Sequence, residues 1–253
     1  MSRRHHNGTK TKIQFLETAL HHNVQAITEG PRRKVWSKHD LRTIKPLTPA
    51  QEDMFDAWNN DKHIAAHGSS GSGKTFIAIY LALTEVLDKK QKQLIIVRSI
   101  VPTREVGYLP GGLNEKIAQY ELPYHDIFWE LIGRQSTYQN MKDAGLVDFM
   151  TTSFVRGLTW DNAVVIDEGQ NMTFHEINSI MTRLGEGSRV IFTGDLAQSD
   201  LDGKKNGTCG MSQFLKVIHD INNFESVRFT VNDIVRSSFV KSWIVAAEQY
   251  LAA

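Results

Sequence analysis

The chain has 253 residues, 41% of them hydrophobic and 23% charged, with a net charge of +1. That length and make-up suit one large globular domain with an appendage and leave function open. No run approaches the roughly 20 apolar residues that cross a bilayer, and a single cysteine, Cys209, excludes an intrachain disulfide framework and fits a reducing cytosol.

Charge is unevenly spread. Residues 1–46 hold ten Lys or Arg against three acids, a basic arm on a slightly acidic body, which suits nucleic-acid phosphates or simply a solvated, partly helical or disordered terminus. The arm has no apolar segment of signal-peptide length. Its histidine pairs, His5–His6 and His21–His22, lack the spacing of a metal site. Residues 47–253 are read as the main domain. Near its start stands Gln51, whose amide offers one donor and one acceptor, the pair that reads the N6 and N7 edge of adenine.

The largely apolar stretch His63–His67 predicts a strand, and Phe76–Leu87 a helix that opens on eight consecutive apolar residues. Between them lie Gly68, Ser69, Ser70, Gly71, Ser72, Gly73, Lys74 and Thr75, a complete GxxxxGK[ST] phosphate loop. Glycines let backbone NH groups approach phosphate oxygens without side-chain bulk. Lys74 is expected to reach the outer phosphates and Thr75 to give its hydroxyl to magnesium, with Phe76 also at the nucleotide. The helix dipole adds to the same anion site.

Further strands are predicted at Gln93–Ser99, Val147–Ser153, Ala163–Asp167, Arg189–Thr193 and Val227–Val231, and helices at Gly112–Ile132, Phe174–Leu184, Met211–Ile218 and Phe239–Leu251. Pro102–Gly112 reads as a loop over the carboxyl ends of the strands. Thr173 followed by Glu176 is a capping-box pattern. Several strands are apolar at consecutive positions, which calls for a mostly parallel sheet with helices on both faces, an α/β fold.

Asp167–Glu168 closes one of these strands, read as neighbouring the phosphate loop. Asp167 is the candidate to hold magnesium through water, and Glu168 the candidate base for the attacking water. Gln198, after the strand ending at Gly194–Asp195, is a candidate sensor of the γ-phosphate. Arg236, before the last helix, is a candidate arginine finger.

Together these residues resemble the PhoH-like family of ATPases, which are similar to the first RecA-like lobe of superfamily 1 helicases. The resemblance runs from about Lys45 to Tyr250. It rests on the Gln51 segment, the phosphate loop, Arg98–Gly111, Phe154–Gly157, Asp167-Glu168-Gly169-Gln170-Asn171, Gly194–Asp200 and Asp233–Arg236. Two positions depart from the family pattern: Gly169 stands where alanine is usual, read as a loosened backbone, and Ser237 where histidine commonly follows the arginine. The resemblance implies ATP and Mg2+ as cofactors, a helicase-like ATPase linked to RNA or single-stranded DNA, and Arg104 and Arg156 as contacts to a phosphate backbone or a neighbouring subunit. A fused PIN nuclease domain, found in some relatives, does not fit in the arm, so nuclease activity is not expected. Small phage-encoded members of this kind are common, which makes a cytoplasm, that of a host included, the expected setting.

About 200 residues suffice for one RecA-like lobe. A homo-oligomer is therefore expected, a ring such as a hexamer, in which Arg236 reaches the ATP held by its neighbour. Two other classes stay open: an ATP-binding assembly switch or RNA chaperone that unwinds nothing, and a small-molecule kinase using Lys74, Thr75 and Asp167.

Overall fold

The computed structural model describes residues 34–100, 113–155, 159–195 and 209–252, and one compact unit begins at Ser37. Its centre is a six-stranded, wholly parallel sheet made of β1 (His63–Gly68), β2 (Leu94–Arg98), β3 (Val147–Thr151), β4 (Ala163–Asp167), β5 (Arg189–Gly194) and β6 (Phe224–Phe229). The order across the sheet is β3-β2-β4-β5-β1-β6. Helices in chain order are α1 (Pro49–Asn59), α2 (Lys74–Leu87), α3 (Leu113–Ile132), α4 (Thr137–Asp143), α5 (Phe174–Met181), α6 (Met211–His219) and α7 (Ser238–Ala252).

Every residue of β4 and β5 is buried, so both faces of the sheet are covered. Side chains alternate across a strand. One parity, including Ala65, Ile95, Val97, Val164, Ile166, Val190 and Phe192, joins Ile177 and Ile180 of α5 and Phe214 and Ile218 of α6 in a single core. The other parity meets α2, which packs on β4 and β5 and is buried at every residue from Ile77 to Leu83. This explains the unbroken apolar run at the start of that helix.

The sheet departs from the sequence reading in one respect that matters for the site. The strand of Asp167 does not neighbour the strand of the phosphate loop: β5 lies between them, pairing with β1 through Ile64–Ile191 and with β4 through Val165–Ile191. The last strand is also shifted, ending at Phe229, because Thr230 turns the chain. The amide and hydroxyl of Thr230 bond the Asp233 carboxylate at 2.9 and 3.0 Å and open a 3-10 turn. Helices α1 and α4 were not anticipated. Helix α1 begins at a Thr48 cap with Pro49 in its first position, where a missing NH costs nothing.

The ten residues before Leu47, grouped with the arm in the sequence reading, include a stretch that packs on the body. Leu41 is buried, Arg42 donates its amide to Leu131 O at 2.8 Å, and Ile44 donates to the Tyr80 hydroxyl at 3.3 Å. The capping box at Thr173 forms as expected, with Thr173 N donating to Glu176 Oε2 at 2.9 Å and Glu176 N to Thr173 Oγ1 at 3.3 Å. The expected loop Pro102–Gly112 lies outside the described residues.

Candidate active site

The phosphate loop runs from the end of β1 into α2. Gly68, with φ +113°, is where the loop leaves the sheet. A Cβ there would lie 2.0 Å from the Phe229 carbonyl oxygen of β6, so only glycine allows this close approach. Gly73, with φ +81°, sits in the left-handed region at the cap of α2.

Lys74 is nearly buried, and its ammonium donates to the carbonyls of Gly68 and Ser69, both at 2.7 Å, and to Ser72 Oγ at 3.3 Å. Burial lowers its pKa, against the pull of Asp195, Glu168, Asp167 and Glu248. Ser72 Oγ closes the turn by donating to Ser69 O at 2.9 Å. Two other segments strap the loop from outside. Val235 N donates to Gly71 O at 3.1 Å, and Ser69 Oγ to Glu248 Oε2 of α7 at 3.4 Å.

Asp167 lies across the cleft with both oxygens engaged. Oδ1 accepts from Thr75 Oγ1 and from Thr193 Oγ1 of β5, each at 2.7 Å, and Oδ2 accepts from the Tyr124 hydroxyl of α3 at 2.8 Å. The intervening β5 thus supplies a hydroxyl that holds Asp167 together with that of Thr75. Burial first, then the charge of Asp167, push Tyr124 well above the usual phenol value, so it stays a donor. Thr75 and Asp167 offer hard oxygen ligands in direct contact, the set Mg2+ takes when substrate phosphates complete its shell. Among the described residues no group of three His, Cys, Asp or Glu forms a cage of protein ligands alone. The donor set therefore fits a magnesium that arrives with a nucleotide.

Glu168 follows with φ 54° and ψ 41°, a left-handed conformation that costs a non-glycine residue about 1–2 kcal/mol. Such strain gathers at functional sites. Gln170 Nε2 donates to Glu168 Oε2 at 2.6 Å, while Gln170 Oε1 accepts from Asp195 N at 3.0 Å, joining Glu168 to the end of β5. Arg98 Nη2 stands 3.9 Å from Glu168 Oε1. The Glu168 pKa is raised, chiefly by burial and then by Asp167, while Arg98, the Gln170 bond and Lys74 pull it down.

A cleft of about 520 Å3 brings Ser70, Gly71, Ser72, Gly73, Lys74, Thr75, Phe76, Asp167, Glu168, Gln51 and Arg236 together. Gln51 does something other than wait for a base. Its Nε2 donates to Ser72 O at 2.9 Å and its Oε1 accepts from Leu47 N at 2.9 Å, so its amide bolts α1 to the phosphate loop. Arg236 lies in the cleft of its own chain, where a Cβ on Gly71 would come 3.1 Å from its Cγ. Gly169 is likewise more than a loosened backbone: a Cβ there would come 2.0 Å from the ring of Phe192, so the missing methyl makes room for the β5 core. Gln198, Arg104 and Arg156 lie outside the described residues.

Thr193, Tyr124 and the roles of Gln170 and Arg98 escaped the sequence reading. Gln170 and Arg98 carried a faint signal, each standing inside a segment that bears the family resemblance.

Residues 43–248 match the profile of the family described as PhoH-like protein. The PhoH-like protein of Bacillus subtilis is 32% identical over 243 residues, covering 95% of this chain and 72% of its own. Protein PhoH of Escherichia coli K12 is 34% identical over 206 residues, covering 79% of this chain and 57% of its own. The chain spans about three fifths of the length of several such relatives, 59% for that of Mycobacterium bovis. Among solved structures, the large terminase of a thermophilic bacteriophage, in complex with ADP, aligns with a TM-score of 0.45 at 13% identity, covering 78% of this chain and 49% of that one. The Pif1 helicase of Candida albicans aligns with a TM-score of 0.38 at 14% identity, covering 78% and 43%. With the profile spanning most of its length and relatives above 30% identity over most of the chain, this chain belongs to the PhoH-like protein family.

Proposed function

We propose that the protein is a magnesium-dependent ATPase whose hydrolysis is coupled to binding or remodelling of RNA or single-stranded DNA. The observation that carries this reading is the meeting of Thr75 and Asp167 at 2.7 Å beside Glu168, at the mouth of a complete phosphate loop.

In this reading Lys74 exchanges its two loop carbonyls for phosphate oxygens, neutralising charge where it develops on the transferred group. Thr75 and Asp167 would hold the magnesium, which would supply Lewis-acid stabilisation of the phosphates. Glu168 accepts the proton of the attacking water, and Gln170 and Arg98 hold its carboxylate in place. Arg236 approaches the phosphates within its own chain, and Gln198 senses the γ-phosphate from the segment after β5. Gln51 keeps the loop in shape and presents its remaining NH and lone pair to a base.

Nucleic acid is favoured by the basic arm, by the expected roles of Arg104 and Arg156, and by the resemblance to helicase lobes. A second reading, an ATP-dependent assembly switch, is favoured by the straps from Val235 and Glu248, which tie the phosphate loop to the segment before α7 and to α7 itself. Arg236 is given its role in the cleft it lines, and a homo-oligomer is part of the proposal. No helix among the described residues is long and apolar enough to cross a membrane, and a cytoplasmic setting is part of the proposal.

The test is steady-state ATP turnover with Mg2+, alone and with added RNA, single-stranded DNA or duplex. Stimulation by one single-stranded class is expected. Turnover indifferent to all three would replace the coupled ATPase by the switch, and no hydrolysis under any condition would overturn the enzyme reading.

A further inference from the structure

Helix α7 presents two unlike faces. Lys241, Ile244, Val245 and Glu248 are half-buried, with Ile244 and Glu248 toward the phosphate loop. On the other side Phe239, Trp243, Ala246 and Tyr250 are exposed, the three aromatics by 75%, 68% and 83%. At about 100° per residue these four fall within an arc of about 60°, a single apolar stripe. The exposed residues flanking it, Ser242 and Gln249, carry no charge.

The spacing along the stripe is the same from either end. Phe239 and Trp243 are separated by four residues, as are Ala246 and Tyr250. If a second α7 runs antiparallel across a two-fold axis between Ile244 and Val245, Phe239 meets Tyr250 of the other copy and Trp243 meets Ala246. Large side chain then faces small at the centre, and aromatic faces aromatic at the ends. Two-fold contacts require such self-complementarity, and Trp and Tyr are the residues that anchor interfaces. A single-stranded nucleic acid would stack on aromatics too, but it needs cations alongside, and the described residues of this face include none.

We propose that the outer face of α7 is a docking surface for a second copy of this chain, paired antiparallel about that axis. Three aromatics per copy, at about 150–250 Å2 each and mostly exposed, bury on the order of 1,000 Å2. This is near the lower limit for a specific interface, so the dimer is concentration-dependent. The contact gives the proposed oligomer one of its interfaces, resting on that reading only for the expectation of assembly, and it is measured by mass. It can fail while ATP turnover stands, and the reverse.

The test is sedimentation of the full chain from about 0.5 to 100 μM. The expected result is a shift from monomer to dimer that Trp243→Glu abolishes, with an unchanged circular dichroism spectrum. Phe239→Lys and Tyr250→Glu should each weaken the dimer at least tenfold, and the double variant should recover part of the loss because Lys then faces Glu across the axis. A monomer throughout the range overturns the proposal. So does a dimer indifferent to Trp243→Glu, a double variant no better than the singles, or a monomer that dimerises only when residues 1–36 are removed, which would show the arm itself covering the stripe.

Discussion

Gly169 and Phe192 illustrate how one missing methyl group is written into the core. The ring of Phe192 occupies the place a Cβ on residue 169 would need, and it also packs on Phe214 with centroids 4.4 Å apart. Gly169→Ala should therefore destabilise the fold by about 1–3 kcal/mol, as overpacking does, measured by urea denaturation. Phe192→Leu in the same chain should recover part of that loss, giving a coupling that a backbone-entropy effect would not show. At Glu168 the prediction concerns pH. If Glu168 is the base, as proposed, it must be deprotonated, so turnover should rise as pH climbs through its pKa, which burial and Asp167 hold above the ordinary glutamate value. Arg98 opposes that shift. Arg98→Gln should move the rising limb of the kcat profile to higher pH, so that loss of activity is greater in mildly acidic buffer than at alkaline pH. A uniform loss at all pH values would mean that Arg98 acts some other way.

At the scale of elements, the phosphate loop and the Asp167–Glu168 pair were legible because each is a contiguous run whose chemistry needs those residue types side by side. The same holds for the Thr173 capping box. The hydroxyls of Thr193 and Tyr124 were not legible, since they reach Asp167 from positions 26 and 43 residues away. Nothing local marks a threonine on a buried strand as a hydrogen-bond donor to a remote carboxylate. The order of the strands was hidden for the same reason: β4 and β5 are both buried along their whole length around an apolar centre, and nothing in them tells which one neighbours β1. What joins α1, α2 and β5 behind the phosphate loop is Arg189, which pairs with Glu85, donates to Trp58 O at 2.6 Å and to Lys62 O at 3.1 Å, and stacks 3.5 Å from the Trp58 ring. Arg189→Met strands the buried Glu85 carboxylate and should cost about 3–5 kcal/mol in urea denaturation. Adding Glu85→Leu should restore much of it, because two apolar groups can replace a buried pair. If the single variant loses less than about 1 kcal/mol, well under the usual cost of an unpaired buried charge, Glu85 is solvated in a way the structure does not show.

For the molecule as a whole, the place where the basic arm ends decides what can be removed. A cut after residue 46 would take away Leu41, the Arg42 bond to Leu131 and the Ile44 bond to Tyr80, and with them part of the packing around α2 and α3. A cut after residue 36 leaves the compact unit whole while removing seven Lys or Arg and only two acids. If the arm neutralises nucleic-acid phosphates, each contact contributes a released counterion, with a slope of about −0.7 per phosphate for single strands in a plot of log K against log salt. Deleting residues 1–36 should then flatten that slope, weaken binding most at low salt, and leave basal ATP turnover within error of the full chain. The longer deletion should lower the melting temperature as well, separating loss of charge from loss of fold. A slope unchanged by the shorter deletion would assign phosphate contact to the body, where the segments bearing Arg104 and Arg156 become the next positions to substitute.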